Sequence, residues 1–272
     1  MRRVTVWRAR FLMLAAGLLA ACAAVPPAST LAVAQLAPNG TIRAAINFGN
    51  PLLATRDANG DARGVSVDLA RELGRRLGVP VELVTYTAAG KVVEGIRAGE
   101  WDVGFFAIDP VRAADTDFSA AYLLIEGAYL VPVDSSIRNN EEVDRADVRV
   151  VVGRGSAYDL YLSRELKQAK LLRASTSQGV TGMMVLEKAE VAAGVKQQMQ
   201  ADAKRLPGLR LLDGRFMEIR QAMAVPKGRA AGAAYLRDFV EEMKVSGFIA
   251  AALRRHGIEG AVVASPVAGP GR

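Results

Sequence analysis

The chain has 272 residues, 51% hydrophobic and 23% charged, with a net charge of +7. This composition fits one large or two modest globular domains of about 100–150 residues each, and excludes collagen-like, wholly disordered and coiled-coil proteins. A single cysteine and a single histidine exclude a disulfide scaffold and a zinc site needing two thiolates, and make most histidine-based metal sites and catalytic triads hard to build.

Four of the positive charges, Arg2, Arg3, Arg8 and Arg10, precede an uncharged apolar run from Phe11 to Ala21, and no acid occurs before Asp57. The run is too short to span a bilayer, which needs about 20 residues. Basic residues, a short apolar run and small residues after it describe a secretory signal peptide over residues 1–22. Leu19-Ala20-Ala21-Cys22 reads as a lipobox, which would make Cys22 a lipidation site. Ala32-Val33-Ala34 before Gln35, or a position just after Ala23 or Ala24, are alternative cleavage sites, with Cys22 then an incidental leader residue. Each reading exports the chain to the periplasm, with membrane attachment only through a lipid anchor. Residues 23–40, rich in Ala and Pro, read as a flexible tether. The remaining basic excess is spread along the chain without a clustered basic face, which argues against a nucleic-acid binder.

From Thr41 onward, short apolar runs alternate with helical patterns. Ile42–Asn47 is a predicted strand, followed by a turn at Asp57-Ala58-Asn59-Gly60. A helix follows with Ser66 as its expected N-cap, an apolar stripe of Leu69, Ala70, Leu73 and Leu77, and a stop at Gly78 before Pro80. Val81–Thr85 is a strand, Val92, Val93 and Ile96 mark a second helix ending near Gly99, and Asp102–Ile108 is a buried strand. This βαβαβ order implies a parallel sheet flanked by helices.

The pattern restarts after a polar stretch at 134–147. Val148–Val152 is a strand, then come Gly153-Arg154-Gly155-Ser156 and a helix from Ala157 to about Lys167. Leu171–Ala174 and Ala189–Ala193 are strands with a helix between them, and Met217–Val225 is a further strand. Ala230–Val245 and Phe248–His256 are closing helices, and 261–272 reads as a loose tail. The fold class is α/β, in two consecutive halves.

Two positions stand out. Asp109 can cap a turn starting at Pro110, which places Arg112 at the carboxyl end of a parallel strand, where open α/β sheets bind ligands. Its guanidinium fork suits a carboxylate, the alternative being a surface arginine on a short helix. Gly155 and Ser156 open a helix after a strand, so their backbone N–H groups can form an anion site; the alternative is a tight turn with a serine cap. A dinucleotide fingerprint is excluded, because Tyr158 stands where its third glycine would be. His256 reads as a surface histidine and Met183-Met184 as core filling.

Four stretches carry a family resemblance: GDARGVSVDLARELGRRLGVPVELV, GEWDVGFFAIDPVRAADTDFSAAYL, VVVGRGSAYDLYL and YLRDFVEEMKVSGFIAAALRRHG. In this order and spacing the chain resembles family 3 extracellular solute-binding proteins, the periplasmic receptors of polar amino acid ABC transporters. The resemblance implies the type II periplasmic binding fold, with two α/β lobes closing on a ligand. It implies a discontinuous first lobe at 41–131 and 223–260, and a second lobe at 132–222. It further implies a monomeric binding protein with no cofactor and no catalytic activity, handing a small-molecule ligand to a membrane permease. Arg112 would hold the ligand carboxylate from an exposed position in the open cleft, and Ser156 and Gly155 would meet it from the second lobe. Asn47, Phe48 and Asn50 follow the first strand, where the family places side chains around the ligand, although they also suit a plain turn. Lys91 falls near the expected cleft mouth, or is simply solvated.

Two departures from the family pattern bear on the ligand. Members that bind α-amino acids usually hold the ammonium with an aspartate at the end of a second-lobe strand; here Gly194 or Val195 takes its place. Phe105, Phe106 and Ala107 replace the small hydroxyl residues usual before the arginine. A ligand without an α-amino group is therefore expected, unless Glu218 or Asp109 takes over the amine. The rivals are an enzyme like the cyclohexadienyl dehydratases, which share the fold, and a sensory or docking module.

Overall fold

The computed structural model describes residues 28–267, so the signal peptide, the Cys22 lipobox and the last five residues lie outside the described residues. The first half begins with α1 (Thr30–Leu36), β1 (Ile42–Asn47), a small ribbon of β2 (Thr55–Arg56) and β3 (Ala62–Arg63), and α2 (Val65–Leu77). It continues with β4 (Val81–Tyr86), α3 (Ala89–Arg97), β5 (Val103–Ala107) and a 3-10 turn at Arg112–Ala114. The long strand β6 (Thr116–Pro132) leads to the second half: β7 (Arg149–Gly153), α4 (Ala157–Glu165), β8 (Lys170–Ala174), α5 (Val180–Glu187), β9 (Val191–Val195), α6 (Lys196–Arg205) and β10 (Leu209–Leu211). The chain returns along β11 (Met217–Pro226) and ends with α7 (Ala230–Val245), α8 (Phe248–Arg255) and β12 (Val262–Val263).

One sheet runs in the order β4-β1-β5-β11-β6-β9-β7-β8, with β10 and β12 also paired to β6. Parallel pairing holds β4-β1-β5 on one side and β9-β7-β8 on the other; β6 and β11 are antiparallel to their neighbours and join the two sides. This is the two-lobed type II periplasmic binding fold. β6 pairs with β11 up to Gly127 and with β9 from Gly127 to Leu130. β11 pairs with β5 from Gln221 to Ala224. The connection between the two sides thus runs inside paired strands, where β6 changes partner at Gly127 and β11 meets β5 from Gln221 onward. The β6–β11 register shifts between Gln221 and Ala222, where Tyr122 is an extra residue on β6, a bulge that adds twist where the halves meet.

The helices form for local reasons the sequence carries. α2 buries Val65, Leu69, Ala70 and Leu73, and ends at Gly78, whose left-handed backbone lets its N–H close onto the Gly74 carbonyl. Its N-cap is Gly64 rather than Ser66. Gly64 has φ 127°, and a Cβ there would run into the Leu53 carbonyl, so a glycine is required. Ser66 is buried in the first turn of α2, its hydroxyl 3.4 Å from that of Tyr122.

Both ends of the described chain are more ordered than expected. Within the expected tether, Ser29 Oγ accepts from Ala32 N at 3.1 Å to cap α1, and Leu36 is fully buried. The Gln35 side chain accepts from Gly232 N, and its carbonyl accepts from Arg229, both at 2.9 Å, docking α1 on α7. The alternative cleavage site Ala32-Val33-Ala34 lies inside this helix. In the expected loose tail, β12 pairs with Leu123 and Leu124, and Ser265 accepts from the buried Lys244 ammonium at 3.2 Å.

Candidate functional site

A cavity lies where the carboxyl ends of β1, β5, β7 and β9 converge between the lobes. Open α/β sheets place their ligands at such strand ends. Arg112 forms one wall. Asp109 Oδ1 accepts from Val111 N at 2.8 Å and fixes the turn that carries it. The arginine is 1% exposed in this closed arrangement. It is covered because the second lobe reaches it: Nη2 donates to the Gly155 carbonyl at 2.9 Å, while Nη1 donates to Ala107 at 3.0 Å. Nε is buried with no protein acceptor. The guanidinium also lies 5.6 Å from the Phe106 ring centroid, within cation–π range. Burial lowers its pKa to about 10, opposed by the charge of Asp109. The Asp109 carboxylate is itself committed to Arg164 at 2.9 Å.

The Gly155-Ser156 turn differs from the open anion cradle expected. Gly155 N donates to Asp159 Oδ2 at 2.8 Å, and Ser156 N donates to the Gly153 carbonyl at 3.0 Å. Ser156 Oγ accepts from Asp159 N at 3.0 Å, making a serine cap. The turn spends its backbone donors on itself because Asp159, one turn into α4, supplies a closer anion than any ligand. Ser156 still lines the cavity, with its hydroxyl also in contact with Tyr158. Gly155 contributes its carbonyl to Arg112 and lines a second, outer pocket with Lys91 and Arg154.

Asn47 and Asn50 both line the cavity. Their Oδ1 atoms accept from Gly49 N at 2.8 Å and Leu52 N at 3.2 Å, as turn formers do, leaving the amide nitrogens uncommitted. Phe48 and Lys91 fall outside the cavity. The Phe48 ring lies under the Arg56 guanidinium at 4.4 Å, and its carbonyl accepts from Gln178 Nε2 at 2.9 Å. Lys91 pairs with Glu94 at 2.6 Å and its side chain is 63% exposed. It lines the outer pocket beside Glu94, Arg112 and Arg154.

Sequence reasoning did not single out Tyr158, Ser177, Gln198 and Gln221, which complete the polar lining. Burial raises the Tyr158 hydroxyl, and contacts with Ser177 and Ser156 oppose the rise. Gln221 Oε1 is buried with no donor. Of the two residues that stand where the family has its aspartate, Val195 lines the cavity, while Gly194 packs against Met199. Glu218 is paired with Arg215 at 3.7 Å, Lys196 with Glu126 at 2.6 Å, and neither lines the cavity. Among the described residues, no group of three or more His, Cys, Asp or Glu could hold a metal, and no helix is long and apolar enough to cross a membrane.

The L-cysteine solute receptor of Neisseria gonorrhoeae has a similar structure, with TM-score 0.72 and 25% identity over 85% of this chain and 95% of that one. A mutant of ArgBP from T. maritima aligns with TM-score 0.71 and 21% identity over 84% and 100% of the two chains. An ancestral amino acid-binding protein, a precursor of cyclohexadienyl dehydratase, aligns with TM-score 0.68 and 23% identity over 82% and 98%. No curated protein sequence matches the chain. Residues 42–258 match the family described as bacterial extracellular solute-binding proteins, family 3. With the two-lobed sheet and the cavity at its strand ends, this match shows that the chain belongs to the family 3 bacterial extracellular solute-binding proteins.

Proposed function

We propose that the protein is a periplasmic receptor that closes two lobes around a small carboxylate-bearing solute and delivers it to an ABC importer. The observation that carries this reading is Arg112, a guanidinium buried between the lobes with Nε unpaired and no carboxylate among the residues lining its cavity. A buried cation that no carboxylate touches is costly, and an incoming carboxylate reduces that cost through a charge-assisted fork. Contacts from both lobes give the closed form the differential affinity that ligand-driven closure requires. The structurally similar L-cysteine receptor and ancestral amino acid-binding protein support the solute class. The protein acts without a cofactor and as a monomer, with the permease reading its closed face. The lipobox at Cys22 would tether it to the membrane.

Thermal-shift screening of amino acids and simple carboxylates, followed by calorimetry on the hits, tests the reading. Ligand binding to the native state raises the melting temperature. The expected result is at least one carboxylate that stabilises the wild type but not Arg112→Met, with no turnover of a prephenate-like substrate. Stabilisation only by uncharged solutes would sink it.

A further inference from the structure

The cavity has an unusual charge pattern. Arg112 is the sole charged side chain lining it among the described residues. The other polar groups are neutral: Asn47, Asn50, Ser156, Ser177, Gln198 and Gln221. Nearby acids are engaged with cations: Asp109 with Arg164, Asp159 with Arg173 at 3.0 Å, Glu94 with Lys91, and Glu218 with Arg215. From this we infer that the site selects monocarboxylates carrying a neutral oxygen function, a hydroxyl or keto group, over the corresponding α-amino acids.

The inference rests on the carboxylate reading above and follows from charge balance. A monoanion brings the closed cavity to neutrality. A zwitterionic amino acid supplies the same carboxylate but also an ammonium, leaving one positive charge with no anionic partner beside a guanidinium already disfavoured by burial. Desolvating an unpaired ammonium is among the most expensive steps in binding. A dianion overshoots in the opposite sense. The neutral groups then define what the rest of the ligand must be. Asn47 and Asn50 have spent their carbonyl oxygens on turn N–H groups, so each offers only donors, which suit a keto or hydroxyl oxygen. Gln221 Oε1, buried without a donor, accepts from a hydroxyl. Phe105, Leu53, Pro51 and Ile219 provide apolar wall for the carbon skeleton.

Val195 offers a direct reversal. It is the N-cap of α6, in extended backbone geometry and without a side-chain cap bond. Aspartate is favoured at such positions, so Val195→Asp puts a carboxylate into the cavity wall without disrupting the helix.

The experiment is calorimetric titration of the mature protein, stripped of carried-over solute by unfolding and refolding. The probes are matched triads sharing a side chain: alanine, lactate and pyruvate; leucine and its 2-hydroxy and 2-oxo acids; phenylalanine, 3-phenyllactate and phenylpyruvate. In the tightest triad, the hydroxy or oxo acid is expected to bind at least about tenfold more tightly than the amino acid, with Val195→Asp narrowing or inverting that ratio. Tighter binding of the amino acid by the wild type overturns this inference and leaves the carboxylate reading intact. Failure of every probe to bind, or binding unchanged in Arg112→Met, overturns the carboxylate reading and this inference together.

Discussion

The side-chain amide of Gln178 donates to the Phe48 carbonyl at 2.9 Å, and the two residues belong to opposite lobes. Phe48 follows β1, while Gln178 lies between β8 and α5. With the Arg112–Gly155 bond it fastens the cleft in its closed form. The Gln178 contact is partly solvated and makes no use of the cavity interior, so it adjusts the opening equilibrium rather than ligand choice.

Gln178→Ala should therefore weaken the best ligand by about 2- to 10-fold, the range of one hydrogen bond of about 0.5–1.5 kcal/mol. The loss should appear mainly as faster release, with the order of ligand preference unchanged. Stopped-flow release rates and a competition panel check both parts. A changed preference order would mean that Gln178 contacts ligand.

Arg112→Met should separate binding from stability. Losing the charge-assisted contact should cost about 2–5 kcal/mol of affinity for carboxylates. Ligand-free stability responds to two opposed effects, each about 1–3 kcal/mol: relief of a buried, unneutralised cation, and loss of donors to Ala107 and Gly155. The melting temperature of stripped protein should shift by only a few degrees, at about 2–4 °C per kcal/mol. Differential scanning calorimetry with and without ligand reads both.

Gly155→Ala should block closure. Gly155 has φ 67°, and a Cβ there would lie 2.8 Å from Gly90 Cα, which is backbone and cannot swing aside. The left-handed backbone alone costs a non-glycine residue about 1–2 kcal/mol. Small-angle scattering should show the variant staying expanded at ligand concentrations that compact the wild type. Normal compaction would show that Gly90 and Gly155 need not meet.

Glu72 should govern part of the acid stability. Hydrogen bonds from Arg75 and then Arg76 hold its carboxyl at about 2 against the opposing effect of burial, below its ordinary 4.5. The folded value lies below the unfolded one, so this contribution is complete above pH 4.5 and is lost as pH falls through about 2. The melting temperatures of wild type and Glu72→Gln should differ by a constant amount above about pH 5 and converge below it. A gap that stays constant down to pH 2 would exclude this linkage.

Much of the architecture is readable because it depends on local period and punctuation: α2 through its apolar stripe and Gly78, β5 through its unbroken apolar run, α4 through its serine cap. Arg112 was legible because strand end, aspartate cap and guanidinium fall within ten residues. Gln198 and Gln221 were not, since one opens onto the cavity from α6 and the other from β11 opposite a bulge in β6, and no local pattern relates them to Arg112. Lys91 lies at the outer pocket rather than the inner cavity, with its ammonium on Glu94 three residues on. The helix at Thr30–Leu36 was hidden by an alanine- and proline-rich neighbourhood, and its partner on α7 lies about 200 residues away.

Gln221, opposite the bulge in β6, has two duties. It sits where β11 twists between the lobes, and its side chain forms part of the cavity wall. With both crossings inside hydrogen-bonded strands, lobe rotation must be absorbed as torsion, like a flat spring, rather than as slack in a loop. A spring has a rest angle and returns to it. A ligand that grips the Gln221 side chain would therefore pull on the same strand that the lobes must twist about.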